Sequence, residues 1–281
     1  MGVITVSRHP GSLGDTLARA LAERLHYRLV ARGELIQLAE RVGGADLAWE
    51  RAPEMHERSP SFWERLNEER RRYVSVLRRV VTQLAEDDDV VIVGLGAGQF
   101  LKGLSNVLRL QVIAPPDVRL ERVMERGFDN ISGPLSRDKA RELIRKADHD
   151  SGGFLRYLFN IDWMDPQHWD LVINTGRFSV PEVVDIVAAI VDSGVLEPTT
   201  LDRQRLENLA LASRIEATVL GDPSVWVNAL KVIAQEGHVR IDGEVITEDD
   251  RDAVEQVVRA IDGVRLVEND LRVQPPPLTG M

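Results

Sequence analysis

At 281 residues the chain is long enough for two domains, and 43% hydrophobic with 28% charged residues describes a globular protein, not a disordered one. Asp and Glu number 45 against 35 Lys and Arg, a balance that argues against nucleic acid as the main partner. There is no cysteine, hence no disulfide framework or thiolate metal site. The six histidines, His9, His26, His56, His149, His168 and His238, show no metal-ligand spacing, so no metal site is expected.

The N-terminus lacks a basic n-region, and no apolar run approaches a bilayer's width. Neither a signal peptide nor a transmembrane segment is expected, and the cytoplasm is the expected compartment. The chain opens on a short apolar strand, Val3 to Val6, and a glycine-bearing turn, Pro10-Gly11-Ser12-Leu13-Gly14. A helix follows with Leu17, Ala18, Leu21, Ala22 and Leu25 at helical spacing. Strand, glycine loop and helix bring backbone N–H groups and a helix N-terminus to one point, which suits a phosphate. The template G-x-x-x-x-G-K-[ST] laid on Gly14 finds Gly14 and Thr16 in place, but His9 for the first glycine and Asp15 for the lysine. A carboxylate where a cation normally neutralises phosphate repels it, by about 1 kcal/mol at ~4 Å in water and more in a drier site. The alternative is an ordinary β-α turn whose glycines serve only the backbone.

Further on, Tyr27 to Val30 reads as a short strand and Glu34 to Val42 as a helix, while Asp46 to Pro60 reads as irregular. Phe62 to Glu86 is a long amphipathic helix, and its run Glu68-Glu69-Arg70-Arg71-Arg72 is expected to be a solvated face. Val90 to Val93 and Leu108 to Ala114 look like strands buried on both faces, the first followed by Gly94-Leu95-Gly96-Ala97-Gly98. Asp117 to Arg126 is a helix, Leu171 to Asn174 a strand and Pro181 to Ser193 a helix. This order predicts a three-layer α/β domain around a mainly parallel sheet. Ligands in such sheets bind at the carboxyl ends of the strands. There the 9–16 loop, the 94–98 loop and the segment after Asn174 should converge.

Between Arg126 and Asp170, Arg137, Arg141 and Arg145 fall on one face of a helix, followed by Lys146, Asp148 and Arg156. A basic lid over an anionic substrate has this pattern. So does a surface helix paired through Asp138, Glu142 and Asp148.

Residues 196–204 read as a linker. Beyond it come a helix, Arg205 to Leu220, and a strand, Val225 to Ala234, with Val225, Val227, Ala229 and Lys231 alternating against Trp226, Asn228, Leu230 and Val232. A second strand, Val239 to Val245, precedes a helix, Asp249 to Ile261, capped by Gly263, and a last strand, Val264 to Val273. This αββαβ order is a small α+β module over 205–274. The Pro-rich tail, 275–281, is expected to be disordered.

Four stretches, ITVSRHPGSLGDTLARALAERL, VVIVGLGAGQFL, VIAPPDVRLERVMER and FNIDWMDPQHWDLVINTGRFSV, resemble the cytidylate kinase-like family of P-loop nucleotide kinases over residues 1–195. The resemblance implies a nucleoside monophosphate kinase fold, ATP as donor, a CMP-like acceptor, Mg²⁺ and a basic lid. Carried over by position, Ser7, Arg8, Gly11, Ser12, Gly14, Asp15 and Thr16 would form the phosphate loop. Arg137, Arg141, Lys146 and Arg156 would belong to the lid. No catalytic residue is identified. The departures cluster at one site: Leu13 for a loop glycine, Asp15 for a basic or neutral residue, Leu95 for an arginine and Ser151-Gly152-Gly153 for a lid arginine.

The last ~70 residues resemble a BON domain, through HVRIDGEV, the helix after it and GVRLVENDL. That family implies binding to phospholipid surfaces or other macromolecules, so an unknown protein or surface partner is expected there. Together these features point to a nucleotide-binding protein with a degenerate phosphate loop, a weak or inactive kinase with a sensing role. The alternative is an active kinase moving phosphate from ATP to a CMP-like acceptor; a third reading keeps the kinase fold only as a scaffold.

Overall fold

The computed structural model describes residues 2–43, 60–128 and 131–274. The expected irregular segment from Asp46 and the expected disordered tail therefore lie outside the described residues. The chain divides into two compact units, one of Met1–Ile36, Ala48–Arg58 and Asp87–Thr199, the other of Gln37–Leu47, Ser59–Glu86 and Thr200–Met281.

The first unit is built on a five-stranded parallel sheet. Its strands are β1 (Val3–Arg8), β2 (Arg28–Val30), β3 (Val90–Val93), β4 (Val107–Ile113) and β7 (Leu171–Asn174), in the order β2-β3-β1-β4-β7. Val3 is level with Val90 on one side and Val107 on the other, so β1 runs through the middle. Its residues are apolar on both faces because both are covered. Ile4 and Val6 face α1 (Gly14–Leu25) and α7 (Val180–Asp192), joining Leu17, Leu21, Val183 and Val187 in one core cluster. On the other face α4 (Ala97–Phe100) comes so close that a Cβ on Gly98 would lie 2.6 Å from Thr5 Oγ1. This is the expected three-layer sheet.

The order of the sheet places the site. The chain leaves β1 toward β2 and β3, then crosses to β4 and β7 on the other side. The loops after β1, β3 and β7 therefore meet at the carboxyl ends, where the order reverses. Also in this unit, α5 (Pro116–Arg126) and α6 (Arg137–Phe159) share a small cluster of Leu120, Val123, Ala140 and Ile144. The two-residue strands β5 (Gly127–Phe128) and β6 (Ile131–Ser132) lie between these helices.

The second unit holds α3 (Pro60–Glu86), α8 (Thr200–Gly221), β8 (Asn228–Gln235), β9 (His238–Val245), α9 (Glu248–Arg259) and β10 (Leu266–Val273). It also takes in the end of α2 (Arg32–Gly43). β9 is the centre of a three-stranded sheet, antiparallel to β8 and parallel to β10. Val232, Ala234, Val239, Ile241, Val254, Val258 and Leu271 form its core with Leu211 and Ile215 of α8.

Four local expectations are corrected. The expected single alternation through Val225 to Ala234 is broken by a bulge between Asn228 and Lys231, with Ala229 at φ 51°. The extra residue switches the buried set from Val225 and Val227 to Leu230, Val232 and Ala234. Gly243 sits opposite that bulge, where a Cβ would come within 2.9 Å of Asn228 O. Gly263 is not the cap of α9: Ala260 holds that position in ordinary helical geometry, and Gly263 turns the chain toward β10 at φ 91°. The helix expected from Arg205 begins at Thr200. Finally, Arg71 and Arg72 are half-buried, not solvated: Arg71 Nη1 donates to Asn228 Oδ1 at 2.6 Å and Arg72 Nη2 to Gly43 O at 2.9 Å. The rest of that charged run lies where side chains are outside the described residues.

Candidate functional site

The loop after β1 is a type II turn. Pro10 and Gly11 are its central residues, Gly11 has φ 75°, and Ser12 N–H donates to His9 O at 3.1 Å. Gly11 is required there twice over, because a Cβ would also meet Arg119 O at 2.7 Å. Leu13 then takes the left-handed conformation, φ 63°, immediately before α1, a strained position for a branched side chain. Gly14 opens α1 against Arg8, whose Cβ would be 2.3 Å from any Cβ at 14. The two glycines thus serve close approach, and a leucine holds the left-handed position between them.

The structure brings together all the expected loop residues. Ser7 and Arg8 end β1, Gly11 and Ser12 form the turn, and Gly14, Asp15 and Thr16 begin α1. Asp15 and Thr16 are exposed; Ser12 is fully buried. Asp15 does not stand alone: its Oδ1 accepts from Arg8 Nε at 3.0 Å. Arg8 Nη1 also lies 3.0 Å from where a Cβ on Gly94 would be, so the first loop touches the loop after β3. Gly94 N–H donates to Val6 O at 3.0 Å. From the third loop, Thr175 Oγ1 donates to Ser12 O at 2.7 Å. The expected convergence of three loops is therefore present.

Residues that sequence reasoning did not single out hold the turn from behind. Arg119 of α5 is buried, forms a two-pronged pair with Asp148 of α6 at 2.9 and 2.7 Å, and donates to Pro10 O at 3.4 Å. Arg122 donates to Gly11 O at 3.3 Å, to Thr175 Oγ1 at 3.0 Å and to Thr175 O at 2.8 Å. Burial, and then the nearby charge of Arg126, lower the pKa of Arg122 from its ordinary value. These bonds take up the turn's carbonyls from one side. The signal for them was an arginine at a position of α5 where Leu120 and Val123 mark the buried face.

His9 stacks on Trp163 with ring centroids 4.5 Å apart. Burial first, then the charge of Arg119, lower its pKa to about 4, so the imidazole is neutral at pH 7. His9 Nε2 and Ser12 Oγ are buried with no hydrogen-bond partner among the described residues. A buried hydroxyl left without a partner is uncommon in a native fold and marks this turn out.

The lid residues are not gathered at one point. Arg137, Arg141, Lys146 and Arg156 are all exposed on α6. Arg137 and Arg156 stand near opposite ends of a 23-residue helix, roughly 28 Å apart along its axis. Arg141 pairs with Asp138 at 3.7 Å and Lys139 with Glu142 at 3.0 Å, as a surface helix would. Asp148, expected to pair within the helix, reaches Arg119 instead. The C-terminal half of α6 is fitted to the loops. Trp163 Nε1 lies 3.0 Å from a Cβ at Gly152, and Phe159 lies 2.5 Å from one at Gly96. The first of those contacts leaves little room for a side chain at 152, within the Ser151-Gly152-Gly153 stretch where the resemblance implied a lid arginine. Among the described residues no cluster of three His, Cys, Asp or Glu could hold a metal. No helix among them is long and apolar enough to cross a membrane.

Residues 3–177 match the family model described as the cytidylate kinase-like family, and residues 208–275 match the BON domain. Cytidylate kinase of Methanocaldococcus jannaschii is 30% identical over 196 residues, covering 68% of this chain and 98% of that protein. Cytidylate kinase of Methanosarcina barkeri is 28% identical over 192 residues, covering 68% and 96%. The crystal structure of an uncharacterized protein from Eubacterium ventriosum matches with a TM-score of 0.52 at 21% identity, covering 68% of this chain and 98% of that one. That likeness concerns the fold alone.

Proposed function

The chain belongs to the cytidylate kinase-like family, and on that premise we propose that it binds nucleotide phosphate on the 9–16 loop with weak or absent phosphoryl transfer, in a sensing role. One observation carries this reading: Arg8, the cation of the loop, is tied to the Asp15 carboxylate at 3.0 Å. Phosphoryl transfer depends on cations free to meet charge as it spreads in the transition state. Around this turn Arg8 is held by Asp15, Arg119 by Asp148 and Pro10 O, and Arg122 by Gly11 O and Thr175. Each already has a protein partner.

Phosphate binding is a separate matter, and here the residues fit. The turn has the shape of an anion cradle, and the buried Ser12 hydroxyl lacks a partner. The N–H groups at the start of α1, whose first turn carries the exposed Asp15 and Thr16, would hold the phosphates of ATP. ATP, carrying Mg²⁺ on its phosphates, supplies the transferable phosphoryl group when bound. His9, neutral and stacked on Trp163, keeps the back of the turn dry and uncharged.

In this proposal the first unit handles the nucleotide, the connection is shorter than the expected 196–204 because α8 already starts at Thr200, and the BON domain of the second unit reports to a macromolecular partner. One feature favours the alternative of an active kinase. Lys146 and Arg156 are exposed and have no ion-pair partner among the described residues, which leaves two cations available to a CMP-like acceptor or to ATP.

The test is calorimetric titration of the full chain with ATP, CMP and dCMP in Mg²⁺, with ADP followed in the same samples. Binding without ADP release is expected. Steady CMP-dependent ADP formation would overturn the inactive reading and establish the alternative. No heat with any nucleotide would remove the loop from consideration as a phosphate site.

A further inference from the structure

The second unit contains a cavity of about 190 Å³ between α3 and α8, lined by Arg79, Thr82, Gln83 and Glu86 of α3 and Ala210 and Arg214 of α8. That is well above the ~10–15 Å³ needed to hold one water. Its notable feature is two guanidinium groups on opposite helices. Among the described residues neither Arg79 nor Arg214 has a carboxylate partner, although elsewhere on these helices arginine is paired. Arg78 Nη1, one position from Arg79, meets Glu216 Oε2 at 2.7 Å. Both arginines of the cavity are half-buried. Burial, and next the charge of Arg214, lower the pKa of Arg79 from its ordinary value.

Two like charges in a partly desolvated groove destabilise each other unless an anion lies between them. Arginine forks suit an oxyanion with several acceptor oxygens. The lining is compatible: Gln83 is exposed and offers amide donors, and Ala210 is small. Thr82 takes no part, because its hydroxyl donates to Arg78 O at 2.9 Å and to Arg79 O at 3.1 Å. Glu86, the one carboxylate of the lining, disfavours an anion beside it.

We infer that this groove is a second anion site, separate from the 9–16 loop, that takes a phosphate group between Arg79 and Arg214. It does not depend on the kinase reading, since every lining residue belongs to the second unit. The phosphate could be inorganic or carried by a nucleotide, and the experiment separates the two.

The decisive variant is Gln83→Glu. Position 83 is one helical turn from Arg79 and exposed, so the new carboxylate supplies an internal anion with little risk to folding. The full chain is heated with increasing inorganic phosphate, ionic strength being held constant with chloride, and Tm is read. Wild type should gain Tm with phosphate. Gln83→Glu should start higher without phosphate and show a clearly smaller gain. Arg214→Gln should likewise lose phosphate response without starting lower, since its removal relieves a like charge. If both variants respond to phosphate as wild type does, or wild type does not respond, the site is refuted. CMP in place of phosphate identifies the source. A CMP-induced gain that Gln83→Glu loses assigns a nucleotide phosphate to the groove. One that it keeps, while losing the phosphate response, assigns inorganic phosphate.

Discussion

Replacing Asp15 changes the charge at the mouth of the phosphate loop while leaving the turn intact. Its carboxylate is 67% exposed, so water screens it and the high-dielectric limit applies. A unit charge at ~4 Å from another is then worth about 1 kcal/mol. Asp15→Asn removes one unit and releases Arg8, which should tighten ATP binding by about 3- to 5-fold. Asp15→Lys changes two units, worth ~1–2 kcal/mol, or about 5- to 30-fold. The lost pair with Arg8 is an exposed one, worth at most ~1 kcal/mol of stability, so Tm should hardly move. The assay is calorimetric titration with Mg·ATP at low and at physiological salt. The gain should shrink as salt rises, because the Debye length falls to about 8 Å at 0.15 M. Unchanged affinity in Asp15→Lys, or a gain insensitive to salt, would refute the argument that this carboxylate weakens phosphate binding.

Two further outcomes follow from the same site. Because the pKa of His9 is about 4 in the folded protein against 6.5 when free, the unfolded chain binds more protons between those values. Its contribution is complete above pH 6.5 and should be lost as pH falls to 4, by ~3 kcal/mol in total relative to His9→Gln; a flat difference in unfolding free energy across that window would show that His9 is not buried neutral. Asp148→Ala leaves the buried Arg119 guanidinium unpaired. Urea unfolding should report a loss of ~1–3 kcal/mol, less than for a fully buried pair because Asp148 is partly exposed, and ATP affinity should fall as the turn loosens. A loss of stability with unchanged ATP affinity would separate the Arg119–Asp148 pair from the loop.

Much of the fold could be read along the chain because its signals are local. Val90 to Val93 is an unbroken apolar run bounded by turn residues, the pattern of a strand covered on both faces, and it is one. Leu17, Ala18 and Leu21 repeat at helical spacing and do face the core. The loop residues from Ser7 to Thr16 are consecutive, so finding one of them located the rest. The bulge at Ala229 was not legible, since one inserted residue leaves the composition of a strand unchanged while moving every later side chain to the other face. Gly263 was misread because a glycine just past a helix is the usual cap signal, and here Ala260 had already ended the helix.

By itself the sequence determined the parallel sheet and the αββαβ module, which follow from residue type and near-neighbour spacing, while the family entered through the resemblance of four stretches to known kinases. Only the tertiary structure decided what becomes of the charges. Asp15 pairs with Arg8, Asp148 leaves its own helix for Arg119, Arg122 spans Gly11 and Thr175, and Arg79 comes to share a groove with Arg214. The physical reason is range. Backbone preference and hydrophobic period act within a turn or two of the chain, whereas a long arginine side chain chooses its partner from whatever the fold brings within a few ångströms.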